Sequence, residues 1–179
     1  MKKRKIAIAI TALLLCVGIV AGFKFVPSEE QALAENFLNT FYTVSDYDLH
    51  MYLKDNPKGD EAISSNLAKQ KYQSYFTEKG CAQFIGDKIY YAYEELAYDT
   101  KSTLSLNSLV IREEFNKPDE YLKGYTFTAQ IAISYADGQT KTVTQEGKLQ
   151  ILSKNGDSKI DFISILGREQ TINEAKSVE

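Results

Sequence analysis

The feature that most constrains the fold is a change of hydrophobic period near Thr100. Beyond it, apolar residues occupy every second position of one long stretch: Tyr125, Phe127, Ala129, Ile131, Ile133 and Tyr135. Successive side chains of a β-strand point to opposite faces of a sheet, so this pattern predicts a long strand with one buried face. Such a strand needs neighbours to pair with and a second layer to cover its apolar side.

Turn signals predict the two strands that follow. Asp137-Gly138 predicts a hairpin into a strand over residues 140–152. Asn155-Gly156 predicts a second hairpin into a strand over residues 159–166. Because both connections are tight turns, the strands are expected to run antiparallel.

An earlier strand precedes this pair of hairpins. Leu104 and Leu106 are followed by Leu109 and Ile111, so the alternation is kept only with a change of phase. One extra residue in a strand produces this change, which predicts a β-bulge between Leu106 and Leu109. The sequence therefore predicts a meander of about four strands.

Before Thr100 the apolar residues recur at helical spacing. Ser28 and Gln31 form a capping box, and Glu29 and Glu30 suit the positive end of a helix dipole. The amphipathic helix that begins here is predicted to run for about 17 residues. Its apolar face comprises Leu33, Phe37, Leu38, Phe41 and Val44.

Further helices are predicted before the strands. Asp60 can cap one of them, a helix is predicted through Phe84 and Ile85, and residues 89–98 fit either a helix or irregular structure. The helix after Asp60 would have an apolar face of Ile63, Leu67, Tyr72, Tyr75 and Phe76. Helices followed by a strand meander predict an α+β fold, with helices packed on one face of a curved antiparallel sheet. Residues 168–179 are polar, and we expect this tail to fray.

The N-terminus carries a basic cap and a long apolar run. Lys2, Lys3, Arg4 and Lys5 precede about 18 uncharged residues, and Phe25 and Val26 extend them, enough for a helix to cross a hydrocarbon core of about 30 Å. The basic cap favours the cytoplasmic side, which places the remainder outside. We therefore predict a cytoplasmic cap over residues 1–5, a transmembrane anchor over 6–26, an extracytoplasmic domain over 27–167 and a polar tail over 168–179.

Two other interpretations of this segment stay open. A cleaved signal peptide usually has a shorter apolar region, and only Val20-Ala21-Gly22 offers a cleavage site. A lipoprotein signal would use Cys16, which follows three leucines and lies well inside the apolar run. An uncleaved single-span signal-anchor in the cell membrane of a bacterium is favoured, and all three interpretations place the domain outside the cytoplasm.

Composition and charge exclude some classes of function. The chain has a net charge of −3, and with four basic residues in the cap the remainder carries about −7. Nucleic-acid binding requires clustered Lys and Arg, so no nucleic-acid partner is expected. A hydrophobic content of 44%, with 12 Tyr and 9 Phe, favours a folded domain over disorder.

Few residues are suited to metal, cofactor or thiol chemistry. Cys16 lies in the predicted span and Cys81 in the domain, so they cannot pair within one chain, and Cys81 is expected to be a small buried hydrophobe. His50 is the single histidine, which excludes a site with paired imidazoles, and no Gly-rich phosphate loop is present. We predict no metal and no cofactor.

The candidates for acid–base chemistry are also weak. Asp48, His50 and Tyr52 do not share one helical face, because two residues correspond to about 200° of rotation. The side chains of Glu94-Glu95 and of Glu113-Glu114 diverge, and both pairs are expected on the solvated surface. No catalytic residue is predicted.

This order of elements resembles the nuclear-transport-factor-2-like cone fold over roughly residues 28–166. In that superfamily a sheet wraps around the first helix and leaves a cavity at its wide end. Some members are enzymes, such as ketosteroid isomerase, which place an Asp or Glu in the cavity, and others are non-catalytic binding or assembly modules. The resemblance therefore implies a fold and leaves the function open.

The layout resembles a second family. A short cytoplasmic cap, one span and one extracytoplasmic cone domain is the plan of the bitopic core component of type IV secretion and conjugative transfer machines. The stretch "AENFLNTFYTVSDY" of the first helix is similar to those proteins. The resemblance implies a membrane-anchored, non-enzymatic assembly component with protein partners, in an oligomer or larger complex. The alternative is an exported small-ligand binder or a ketosteroid-isomerase-like enzyme that uses the cone cavity.

One cluster of aromatic residues has the composition of a contact surface. Tyr90, Tyr91, Tyr93 and Tyr98 lie within nine residues. A tyrosine combines a large apolar area with a polar tip, which suits protein interfaces and the rims of cavities as well as cores. We predict these four as a possible interface or cavity rim, with core packing as the alternative.

Overall fold

A computed structural model describes residues 27–45 and 61–177 of the chain. The predicted cap and anchor, and the candidates Asp48, His50 and Tyr52, lie outside the described residues. Among the helices of the described residues, none is long and apolar enough to cross a membrane.

Helices come first and strands afterwards, as the sequence predicted. The helices are α1 (Glu29–Tyr42), α2 (Glu61–Tyr72), α3 (Glu78–Gly86) and α4 (Ala92–Thr100), with α5 (Arg168–Lys176) after the strands. The strands are β1 (Ser102–Lys117), β2 (Leu122–Tyr135), β3 (Thr140–Lys154) and β4 (Asp157–Leu166). They form one antiparallel sheet in the order β1-β2-β3-β4, which confirms the predicted α+β class and four-stranded meander.

The predicted irregularities of the sheet are present. The β1–β2 register shifts between Leu106 and Ser108, which is the expected bulge, and a second shift lies between Glu113 and Phe115. Asn155 and Gly156 have φ values of 56° and 78°, and left-handed residues at both central positions give a tight hairpin the twist of its strands.

Helix α1 begins as predicted and ends earlier than predicted. The capping box between Ser28 and Gln31 is formed on both sides. The helix ends at Tyr42, and Val44 instead exchanges main-chain hydrogen bonds with Leu104 of β1, at 3.0 and 2.9 Å. The edge of the sheet therefore takes the backbone groups that another helical turn would have used.

The core lies between α1 and the concave face of the sheet. Helix α1 contacts both edge strands, β1 and β4, which requires the sheet to curve around it. This is the arrangement that the resemblance to the nuclear-transport-factor-2-like cone implied. Fully buried aromatic side chains occupy the interior: Phe37, Tyr42, Phe84, Tyr93 and Phe127. Their rings contact one another in edge-on and tilted pairs.

Two expectations about individual segments are wrong. The C-terminal tail does not fray over residues 168–176, because α5 buries Thr171 and Ala175, and Tyr135 donates a hydrogen bond to the carbonyl of Ala175. Leu67 was expected on the buried face of α2 and is 38% exposed, whereas Ala68 is fully buried. The small Ala68 lets α2 approach its neighbours more closely than a leucine would.

Candidate interaction groove at the free edge of the sheet

Helix α3 is fixed against the outer edge of β4. The Thr77 amide donates to the carbonyl of Ile160 at 3.0 Å, and Phe76 forms an isolated parallel bridge with the same residue. Asp161 accepts hydrogen bonds from the Thr77 hydroxyl at 2.8 Å and from Lys79 Nζ at 2.7 Å. Burial opposes ionisation of this carboxyl, but these two donors outweigh it and hold its pKa below the usual value.

The side chain of Gln83 continues the covering of this edge. Its Nε2 donates to the carbonyl of Ile163 at 3.1 Å, and the Ile163 amide donates to its Oε1 at 3.3 Å. These two bonds are the ones that a neighbouring strand would make. The main-chain groups of Ile163 therefore face away from β3, and one amide side chain pairs with them.

Ile165 is the next residue of β4 whose main-chain groups face outward. Residues two apart in a strand direct their N–H and C=O groups to the same side, so those of Ile165 also face away from β3. Among the described residues, neither group of Ile165 has a hydrogen-bond partner. Sequence patterns did not indicate this feature, because alternation shows which face of a strand is buried and says nothing about its edge.

A groove of about 600 Å³ lies along this open edge. Ile89, Phe162 and Ile165 contribute apolar surface to it, and Phe162 is 36% exposed. Asp87, at the end of α3, lies near the Ile163 end, since it accepts a hydrogen bond from Gln83. Arg168, the first residue of α5, lies at the Gly167 end. The groove thus combines a free strand edge with a lining of polar and apolar side chains, and it has Asp87 at one end and the neighbouring Arg168 and Glu169 at the other.

The predicted tyrosine cluster does not form one surface. Tyr90 and Tyr93 are buried in the core, and the Tyr90 hydroxyl lies 3.1 Å from that of Ser64. Tyr91 and Tyr98 are half-buried. Core packing therefore accounts for two of the four residues, and a contact between a partner and Tyr91 or Tyr98 stays a prediction.

Tyr93 links the interior to the end of β4. Its hydroxyl donates to Gln145 Oε1 at 2.7 Å, and Gln145 Nε2 donates to the carbonyl of Leu166. The hydroxyl of Tyr42 lies beside that of Tyr93 and has no hydrogen bond of good geometry within the described residues. Burial raises the pKa of both tyrosines well above the usual value, so both hydroxyls stay protonated.

One of the predicted surface carboxylates is buried. Glu94 is 4% exposed and accepts a hydrogen bond from Lys71 Nζ at 2.8 Å, so the expectation of a solvated Glu94 is wrong. The ammonium of Lys71 also lies over the ring of Tyr72, 5.3 Å from its centre. Burial raises the pKa of Tyr72 to about 12, so this hydroxyl is not a base at neutral pH. Lys71 and Glu94 thus form an ion pair between α2 and α4. Glu113 and Glu114 are exposed, as predicted.

Cys81 is buried, as the sequence predicted, and burial raises the pKa of its thiol. It lines a second groove of about 680 Å³ between α2 and α3, together with Phe76 and Ile85. A raised thiol pKa disfavours nucleophilic chemistry. Over residues 27–45 and 61–177, no group of three His, Cys, Asp or Glu side chains is arranged to hold a metal ion.

Comparisons with known proteins give weak similarities of structure alone. No protein-family model matches the sequence, and no curated protein matches it. A periplasmic fragment of TraM has 10% identity over 75% of this chain and 92% of that chain, with a TM-score of 0.47. Aln2 from a Streptomyces species has 11% identity over 86% and 100%, with a TM-score of 0.43. A cyanobacterial iota-carbonic anhydrase complexed with bicarbonate has 13% identity over 78% and 91%, with a TM-score of 0.36.

Proposed function

We propose that this protein is a non-enzymatic assembly or scaffold component of a membrane-bound machine. Residues 6–26 would hold it in the membrane as a single span, with the cone domain outside the cytoplasm. A conjugative transfer machine of the type IV secretion class is the most concrete candidate, since the order of cap, span and cone domain resembles the core component of those machines.

The observation that carries this proposal is that the groove beside β4 lies at the surface of the domain. Among the described residues, buried aromatic side chains occupy the concave interior beside α1, where enzymes of this fold would hold an acid or base. Tyr93, one of these residues, donates its hydroxyl proton to Gln145. The groove beside β4 is at the surface instead, and it presents main-chain groups and apolar side chains to a partner.

Anchoring supports the same function. Confinement to a membrane raises the effective concentration of weakly interacting partners without any new contact. A domain that makes weak lateral contacts through small surfaces therefore gains more from an anchor than an enzyme with a soluble substrate does.

The experiment separates the assembly role from the choice of machine. Mild detergent extracts of host membranes are run on native gels, and transfer of DNA between cells is measured with and without the gene. We expect a complex larger than the monomer and a loss of transfer that the full chain restores. A lone monomer in the membrane extract would overturn the assembly role, whereas a complex with unchanged transfer would overturn only conjugation.

One observation favours the alternative of a small-ligand binder or ketosteroid-isomerase-like enzyme. The Tyr42 hydroxyl is buried, protonated and without a hydrogen-bond partner in the described residues, so its proton could be donated to an oxyanion. A general base would have to come from outside the described residues, where Asp48 and His50 lie. Isomerisation of a β,γ-unsaturated ketone, followed by ultraviolet absorbance, tests this. Turnover that is lost in Tyr42→Phe would support the enzyme, and absence of turnover would discard this activity.

A further inference from the structure

We propose that the groove beside β4 binds an extended segment of a partner protein, which adds to the sheet as a fifth strand. This inference rests on the proposed assembly function and names the kind of contact by which assembly occurs. The partner segment is a short β-strand that pairs with Ile165.

The main-chain groups specify an extended peptide. Gln83 shows that this edge already binds one amide group, through two hydrogen bonds to Ile163. The N–H and C=O of Ile165 offer the next pair of bonds in the same direction. Strand addition supplies this donor and acceptor at the required spacing, since a strand rises about 3.3 Å per residue.

The lining and the charges restrict the segment further. Phe162 and Ile165 are three residues apart and therefore lie on opposite faces of the sheet, so the segment needs an apolar side chain towards each face. Asp87 lies at the Ile163 end and Arg168 at the Gly167 end. A basic residue at one end of the segment would complement Asp87, whereas Glu169 also lines the other end and offsets the charge of Arg168 there.

A second copy of this chain fits the groove poorly. In antiparallel pairing of two β4 strands centred on Ile165, residue 163 of one copy lies opposite residue 167 of the other. The main chain of Ile163 is already paired with Gln83, and α3 packs on the strand just before it, where a Cβ on Gly80 would lie 2.4 Å from the carbonyl of Ile160. A folded copy would have to displace that helix, whereas a slender segment would not.

The opposite edge of the sheet provides a matched control. Edge strand β1 carries two bulges and the charged Arg112, Glu113 and Glu114, features that disfavour strand addition. Ile111 is a half-buried isoleucine of this edge, paired with Phe127 in the same way that Ile165 is paired with Gly147. Val110 is an exposed apolar side chain on this strand, as Phe162 is on β4.

The test uses the full chain in its own membranes. A photoreactive phenylalanine, p-benzoylphenylalanine, replaces Phe162 in one variant and Val110 in the other, and the cross-linked peptide is sequenced by mass spectrometry. We expect Phe162→p-benzoylphenylalanine to link to one segment of a different protein. Adding Ile165→Pro removes one N–H donor without touching the β3–β4 ladder, and it should lower the cross-link yield about five- to tenfold. Adding Ile111→Pro instead should leave the yield unchanged.

A second variant guards against misfolding of Ile165→Pro. Asp87→Asn retains a side-chain oxygen for Gln83 and removes the charge, and it should lower the yield about two- to fivefold. Thermal denaturation of each variant shows whether the fold is intact. A link from position 162 to a second copy of this chain, or a yield that neither Ile165→Pro nor Asp87→Asn changes, would overturn the inference. Links at position 110 without links at position 162 would retain the assembly function and reject this groove.

Discussion

At the scale of residues, the buried hydroxyls of Tyr42 and Tyr93 are neighbours with different roles. The Tyr93 hydroxyl donates a hydrogen bond to Gln145, whereas the Tyr42 hydroxyl has no such partner in the described chain. We expect Tyr42→Phe to leave the free energy of unfolding unchanged or to raise it by up to about 1 kcal/mol, because it removes a buried polar group without a partner. Tyr93→Phe should lower it by about 1–3 kcal/mol, because Gln145 then loses its donor. Denaturant unfolding of both variants measures the difference, and a larger loss in Tyr42→Phe would contradict it.

Glu30 makes the stability of the domain depend on pH. Burial would raise the pKa of its carboxyl, but hydrogen bonds from Lys123, at 2.7 Å, and from the main-chain amide of Glu30 itself outweigh burial and lower the pKa to about 2. A pKa lowered by folding contributes stability that is present above the ordinary value of 4.5 and is lost as the pH falls towards 2.

The matching prediction compares Glu30→Gln with the native chain at pH 7 and pH 2.5. The variant should lose about 1–2 kcal/mol at pH 7, and much less at pH 2.5, because the carboxyl of the unfolded chain is then protonated and most of the stabilisation from the lowered pKa is lost. Glu29→Gln removes an exposed charge from the same helical turn and is the control. Equal losses in Glu30→Gln at both pH values would show that the ion pair with Lys123 does not have this effect.

At the scale of elements, the contact between α3 and β4 depends on one glycine. A Cβ on Gly80 would lie 2.4 Å from the Ile160 carbonyl oxygen and 3.0 Å from the main chain of Asp161, and neither can rotate away. Gly80→Ala should therefore lower the free energy of unfolding by about 1–3 kcal/mol. Gly86, six residues later in the same helix, has open space around it, so Gly86→Ala should be neutral or stabilising by up to about 1 kcal/mol. Thermal unfolding separates the two, and equal effects would exclude close packing as the cause.

The strands could be predicted from the sequence better than the ends of the helices. Alternation predicted the strands, the two turn dipeptides predicted the hairpins, and the phase change near Ser108 predicted the bulge. All three predictions are confirmed. The end of α1 and the docking of α5 could not be predicted in this way. Val44 is apolar at a helical position, but its bonds to β1 decide its conformation, and α5 has a polar composition with only Thr171 and Ala175 buried.

The candidate groove could not be predicted from sequence patterns, for a similar reason. Gln83 is an ordinary polar residue on an amphipathic helix, and its role follows only from the position of α3 across β4. Ile165 is apolar and fits the predicted strand, yet its importance is in its main-chain groups, which every residue except proline has. A tyrosine-rich segment attracts attention by composition, and two of its residues turn out to pack in the core.

At the scale of the whole molecule, the two edges of the sheet are protected differently. Within residues 27–45 and 61–177, the β1 edge has bulges, charges and a bridge to Val44, whereas α3 covers the β4 edge up to Ile163 and leaves the main-chain groups of Ile165 open. Unprotected edges invite pairing with other chains, and proteins usually guard them. The β4 edge is guarded over most of its length and open only beside the groove, in the part of the chain that the structure describes. This arrangement fits the binding site that we propose there.

The proposed role of the whole molecule also depends on the N-terminal segment remaining attached. The apolar run is long enough to span a bilayer, the candidate cleavage residues Val20-Ala21-Gly22 lie near its end, and Cys16 lies inside it. We expect a C-terminally tagged chain to stay in the membrane fraction through a carbonate wash, with an intact mass that includes Lys2 to Lys5. Protease should digest the domain when it is added to cells whose outer layers admit it and whose cytoplasmic membrane is intact. The reason is that the basic cap favours the cytoplasm, which places the domain outside.

Three variants of this measurement distinguish the alternatives. Cys16→Ser should change neither the mass nor the location of an anchored chain, whereas it would block processing of a lipoprotein. Gly22→Gln should likewise have no effect on an anchor, whereas it would increase the mass of a protein that is normally cleaved after Gly22. Adding Lys residues after Phe25 and neutralising Lys2 to Lys5 should reverse the orientation and protect the domain from protease. A mature protein free in the medium, beginning near Phe23, would remove the anchor and with it the reason to place the domain in a membrane machine.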